Sequence, residues 1–115
     1  MSLHEIKKGC KIIDELILYI MKNGHRKMDL SIDKTSDVLK VIIKTDKMED
    51  ELLEVMNKYI NTERELEVEE YGWELMGESD AQSELGMVGL LIDKLEIDNT
   101  DPNQTTLIIT RVDRY

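Results

Sequence analysis

KMDLSIDKTSDVLKVIIKT, residues 27–45, holds two extended segments about a short polar turn, and the architecture follows from that pairing. In residues 27–33, Met28, Leu30 and Ile32 alternate with Asp29, Ser31 and Asp33, the period of two expected of a half-buried strand. Residues 33–37 (DKTSD) are turn formers, with short polar side chains that bond locally to the backbone. Residues 38–45 resume extended spacing: Leu39, Val41 and Ile43 share one face, and Val38 and Ile42 partly bury the other. Two strands joined by so short a turn make a hairpin, so the chain carries an antiparallel element near its start.

Working outward, the apolar residues before the hairpin recur at Ile6, Cys10, Ile13, Ile17 and Ile20, widened by Ile12 and Leu16, which predicts an amphipathic helix over residues 4–23. Asn23 and Gly24 end it, glycine being the residue that closes a helix C-terminus in the left-handed conformation. Beyond the hairpin, Leu52, Val55, Met56 and Tyr59 give a second helix over residues 48–60. Residues 61–77 follow neither period and are read as irregular; Tyr71 and Trp73 stand there among six Glu, and aromatic residues ringed by charge suit a protein-interaction surface. Ser79 to Gln82 has capping-box spacing ahead of a third helix through Leu85, Val88, Leu91 and Ile92. A short strand over 94–98, a turn over 99–104 holding the only proline, and a Thr, Ile and Val-rich strand over 105–112 complete the chain.

The order helix, strand, strand, helix, helix, strand, strand predicts one α/β domain of the α+β two-layer kind, residues 1–115, with a mixed or antiparallel four-stranded sheet and three helices on one face. Leu30, Ile32, Leu39, Val41 and Ile43 are expected in the core with Ile13, Ile17 and Leu91. The chain has 115 residues, a length at which one hydrophobic core is the rule. Charged residues make up 35% and phenylalanine is absent, so the core is left to Ile, Leu, Val and the seven Met. A net charge of −10 argues against nucleic acid as a partner and favours a basic protein surface. A single cysteine, Cys10, cannot form an internal disulfide, and no apolar run is long enough to span a membrane; the cytoplasm is the expected compartment. Cys10, on the apolar stripe, is read as a small core residue.

Metal chemistry is poorly supplied. His4 and Cys10 lie about 9 Å apart along one helix, too far to share an ion, and His25 stands alone in a turn. The oxygen-rich run from Asp98 to Asn103 lacks the spacing of a calcium loop and is read as an Asn/Pro turn.

The run ELILYIMKNG, residues 15–24, resembles the ExxxNxxKHG pattern of the GHKL ATPase superfamily, histidine-kinase-like ATPase domains of the anti-sigma-factor serine kinase type. The following hairpin ends in Thr45 and Asp46, where that family places the aspartate of its first glycine box. Residues 92–96 (IDKLE) are similar to the family's MDEVE, and residues 105–109 (TTLII) to its terminal GTTV strand. The resemblance implies a Bergerat-like fold, ATP and magnesium as cofactors of an active member, Glu15 as catalytic base, and Asp46, Gly86 and Gly89 as nucleotide contacts. It also implies partners of the sigma-factor and sigma-antagonist kind. The departures point the other way. Tyr19 replaces the magnesium-holding asparagine, Lys47, Met48, Glu49 and Asp50 replace the glycines after the adenine-reading aspartate, and Gln82 and Glu84 fall where the second glycine box belongs. The expectation is a degenerate member, a non-catalytic regulatory binding module without cofactor or metal. The alternatives are an active ATP-dependent serine kinase or ATPase with divergent boxes, and a ligand-free domain that associates with itself, as a homodimer for example.

Overall fold

The structure, a computed structural model, describes residues 3–60 and 84–113. The elements run α1 (Leu3–Lys22), β1 (Met28–Lys34), β2 (Val38–Asp46), α2 (Asp50–Ile60), α3 (Glu84–Leu91), β3 (Lys94–Asp98) and β4 (Gln104–Val112). The hairpin read from residues 27–45 is present as β1 and β2. Thr35 N–H donates to the Val38 carbonyl at 2.9 Å across a two-residue loop, and Val38 N–H donates to Thr35 Oγ1 at 3.2 Å. The expected irregularity of residues 61–77, the capping box at Ser79, and Tyr71 and Trp73 lie outside the described residues.

All neighbouring strands pair antiparallel, in the order β1-β2-β4-β3. The register puts Val41 opposite Ile109, Ile43 opposite Leu107 and Leu95 opposite Ile109, so these five share a face, and each is buried. That face meets the helices, where Ile12, Leu16 and Ile20 of α1, Leu53 and Met56 of α2, and Leu85, Val88 and Leu91 of α3 complete the core. The opposite face carries Lys40, Lys44, Lys94 and Glu96, all exposed. This is an open α+β two-layer sandwich with helices on one side of the sheet.

The buried set departs from expectation in two places. Leu30 and Ile32 lie opposite Ile43 and Val41 on the helix side, yet they are 38% and 55% exposed. β1 is an edge strand, and the described helices do not reach over it. The second correction concerns α1. Its fully buried residues are Ile12, Leu16 and Ile20, flanked by Glu5, Lys8 and Gly9, whereas Ile6 and Cys10 are exposed and Ile13 and Ile17 only half-buried. Cys10 is therefore a surface residue. Adjacent helix positions are about 100° apart, so a stripe displaced by one residue faces a different neighbour.

Two contacts choose which stripe turns inward. At Gly9 the helix approaches β2 so closely that a Cβ would sit 2.9 Å from Leu39 Cδ2. At the start of α1, Glu5 Oε2 accepts from Arg111 Nε at 3.0 Å and Nη2 at 2.7 Å, while Arg111 Nη1 donates to the Leu91 carbonyl at 2.6 Å. Arg111 is 1% exposed. One guanidinium on β4 thus ties down the first turn of α1 and the last of α3. Removing one partner of a buried ion pair strands the other's charge. Glu5→Leu is therefore expected to cost about 3–5 kcal/mol. The double variant Glu5→Leu/Arg111→Met is expected to recover most of that loss, as read by urea denaturation.

Candidate functional site

The residues that the sequence singles out fall on α1, the end of β2 and α3. The turn after α1 closes as its glycine requires: Gly24 has φ +94°, its N–H donates to the Met21 carbonyl at 3.1 Å, and His25 N–H reaches back to Ile20 at 3.3 Å. That closure swings His25 inward, where it is 7% exposed and its Nδ1 lies 2.9 Å from Asp46 Oδ1. His25 is therefore not alone. Asp46 stays 65% exposed at the side chain, and the hydrogen bond from His25 is the main reason its carboxyl is held below the usual carboxylate range.

The segment after Asp46 is fastened to the turn between β3 and β4. Met48 N–H donates to Thr105 Oγ1 at 2.9 Å, and that hydroxyl donates to Asn99 Oδ1 at 2.6 Å. Lys47 Nζ bonds the carbonyls of Asn99 at 2.5 Å and Asp101 at 3.0 Å. In the same turn Asp98 Oδ1 accepts from Thr100 N–H at 3.1 Å and its hydroxyl at 2.7 Å, which lowers the Asp98 pKa, and Asp101 Oδ1 accepts from Asn103 N–H at 2.8 Å. The oxygens of residues 98–103 thus serve the turn itself, as expected of an Asx-rich loop. A polar cleft of about 270 Å³ on this side is lined by Lys27, Asp29, Lys44, Asp46, Asn103 and Gln104.

Glu15 and Tyr19, one helical turn apart on α1, are both drawn in. Tyr19 packs against the core and its hydroxyl donates to the Leu52 carbonyl at 3.3 Å, joining α1 to α2; burial raises the phenol pKa. Glu15 is 5% exposed: Oε1 pairs with Lys11 Nζ at 2.7 Å, and Oε2 is buried with no hydrogen-bond partner. Gly86 and Gly89 lie inside α3, half-buried and buried, rather than in a turn. Among the described residues the structure brings Asp46 to His25, and Tyr19 to α2. Among those same described residues it gathers no group of three His, Cys, Asp or Glu able to hold a metal ion.

Sequence reasoning missed the partners more than the residues. His25 and Asp46 are 21 positions apart, and Glu5 and Arg111 are 106 apart; neither pairing leaves a local signature. Lys34, on the edge strand, likewise finds Asp113 at 2.7 Å. No protein-family model, curated protein or solved structure matches the chain.

Because the Asp46 pKa is depressed in the folded state, its link to His25 adds stability above the unfolded carboxylate pKa. That stability is lost as pH falls through the folded value. Asp46→Asn should therefore melt below the parent at neutral pH, and the two curves should converge in acid. Thermal melts across a pH series check this.

Proposed function

We propose that this chain is a non-catalytic regulatory module that works by protein contact, a degenerate relative of the GHKL anti-sigma-factor kinases. The observation that carries the reading is what Tyr19 and Asp46 are doing. The resemblance gives those two positions to magnesium and adenine; here the Tyr19 hydroxyl is bonded to the Leu52 carbonyl and the Asp46 carboxylate to His25. Groups committed to closing the fold are poor nucleotide ligands, since releasing them costs the interactions they make. The setting of Gly89 beyond the first turn of α3 supports the same view, because a phosphate cradle needs backbone amides free of helical bonds.

The partner in this reading is a protein, of the sigma-factor or sigma-antagonist kind in a bacterial signalling circuit, met in the cytoplasm. Among the described residues no helix is long and apolar enough to cross a membrane. Tyr71 and Trp73 supply the contact surface. One observation favours the rival ATP-dependent kinase or ATPase: Glu15, the base in that reading, is buried, and the protein gives its Oε2 no hydrogen-bond partner.

Magnesium ATP decides between the two. A site occupied at a hundredfold excess stabilises a protein by about 2.7 kcal/mol, and for a domain of this size that shifts the midpoint by on the order of ten degrees. The module reading expects an unchanged midpoint at millimolar magnesium ATP. A saturable rise with ATP, absent with polyphosphate, would establish the kinase instead. Trp73→Ala should retain the parental melt while losing partner capture from the native host; equal capture by parent and variant would place the surface elsewhere.

A further inference from the structure

Among the described residues no strand pairs with the outer edge of β1. Thr35 bonds inward to Val38, and hydrogen bonding alternates along an antiparallel pair, so Met28, Leu30, Ile32 and Lys34 aim their amides and carbonyls away from β2. The pairing of β1 with β2 has no bulge to blunt that edge. Along its helix side, Ile32 and Leu39 meet Ile6, Gly9, Cys10 and Ile13 of α1 in an apolar groove of about 190 Å³. The outward stripe of α1, Leu3, Ile6, Cys10, Ile13 and Ile17, repeats at intervals of three and four, the spacing of a helix–helix seam.

We infer that this edge is occupied by a second copy of the chain, with the two β1 strands paired antiparallel about a two-fold axis through Leu30. Charge selects both the occupant and the register. Residues 27–34 hold two Lys and two Asp and are neutral, and seven of the chain's ten net negative charges fall within residues 61–83, so this edge can meet its own copy without net repulsion. A perpendicular two-fold keeps helix sides together only if it passes through a residue. Centring on Ser31 sets Asp29 against Asp33 twice, and centring on Ile32 sets Leu30 against Lys34. Centring on Leu30 sets Met28 against Ile32, Leu30 against itself, and Lys27 against Asp33 twice; it also sets Arg26 against Lys34, whose charge is already met by Asp113 at 2.7 Å. Neither Lys27 nor Asp33 has an ion-pair partner among the described residues. The two groups of outward amides and carbonyls then face each other, and the two α1 seams flank the joined strands on one side of a continuous eight-stranded sheet.

Analytical ultracentrifugation of the full chain tests this, together with cysteine crosslinking in a Cys10→Ser background. The parent should sediment as a dimer of the 13.4 kDa chain. Lys27→Asp should raise the dissociation constant by about tenfold or more, two attractive cross-strand pairs becoming repulsive, and Lys27→Asp/Asp33→Lys should restore it. Leu30→Cys should crosslink to itself, since directly opposed hydrogen-bonded residues lie about 5.5 Å apart at Cα, within disulfide reach. Ile32→Cys should not, its twin lying about 13 Å away along the strands. Both positions are exposed, so neither change threatens the fold. A parent that stays monomeric up to about 0.1 mM would overturn the inference. So would a dimer indifferent to Lys27→Asp, or one crosslinked through Ile32 rather than Leu30.

Discussion

Arg111 holds this structure in register. It stands on the helix side of a strand paired on both edges, almost wholly buried, and spends its donors on the Glu5 carboxylate and the Leu91 carbonyl. A buried guanidinium tolerates few arrangements, because each misplacement leaves a desolvated charge or donor unpaired. The pair therefore works through specificity more than through net stability: it dictates which turn of α1 lies over β4 and where α3 stops. From that placement follow the approach of Gly9 to Leu39 and the inward turn of Ile12, Leu16 and Ile20.

The other end of the sheet is fixed by a different device, a web of small polar groups. Thr45 and Thr105 face each other at the ends of β2 and β4, both buried, and their hydroxyls serve the Asp46 carbonyl and the Asn99 side chain. Lys47 and Met48 bond across to residues 99–105, and His25 brings the end of α1 to Asp46. A segment tied down at so many points keeps one conformation through its own hydrogen bonds. The side chains of His25, Asp46 and Lys47 serve here as staples of the fold.

Rotating α1 to satisfy Arg111 has a cost on its far side. The helix carries apolar residues around more than half its circumference, so turning one stripe to the core leaves Ile6, Cys10, Ile13 and Ile17 at the rim. β1 has the matching problem, with Leu30 and Ile32 beyond the cover of the described helices and its outer amides and carbonyls paired by no described strand. Apolar surface beside an open strand edge is a liability for a protein that stays alone and an asset for one that pairs. The neutrality of residues 27–34 within an acidic chain favours the second case.

The elements and their order were written in local patterns of residues. Alternation in residues 27–45, helical spacing before and after, and β-rich ends at 94–98 and 105–112 are local patterns, and local patterns specify local structure. The hairpin, the helix side of the sheet and the burial of Val41, Ile43 and Leu91 were legible for that reason. Periodicity also announced that α1 is amphipathic, but it pointed to the stripe through Ile6 and Cys10 rather than the one through Ile12 and Leu16. Spacing records that a helix has apolar faces; it carries no information on which one meets the sheet. Nor could it show that Leu30 and Ile32 stand on an uncovered edge, because strand order is a property of pairing. The site was legible only as a set of residues: Glu15, Tyr19 and Asp46 were marked, while His25 and Arg111, whose partners lie 21 and 106 positions away, were not. Charges that meet only when the sheet closes leave no trace in the spacing of either neighbourhood, so the role of each emerges with the fold.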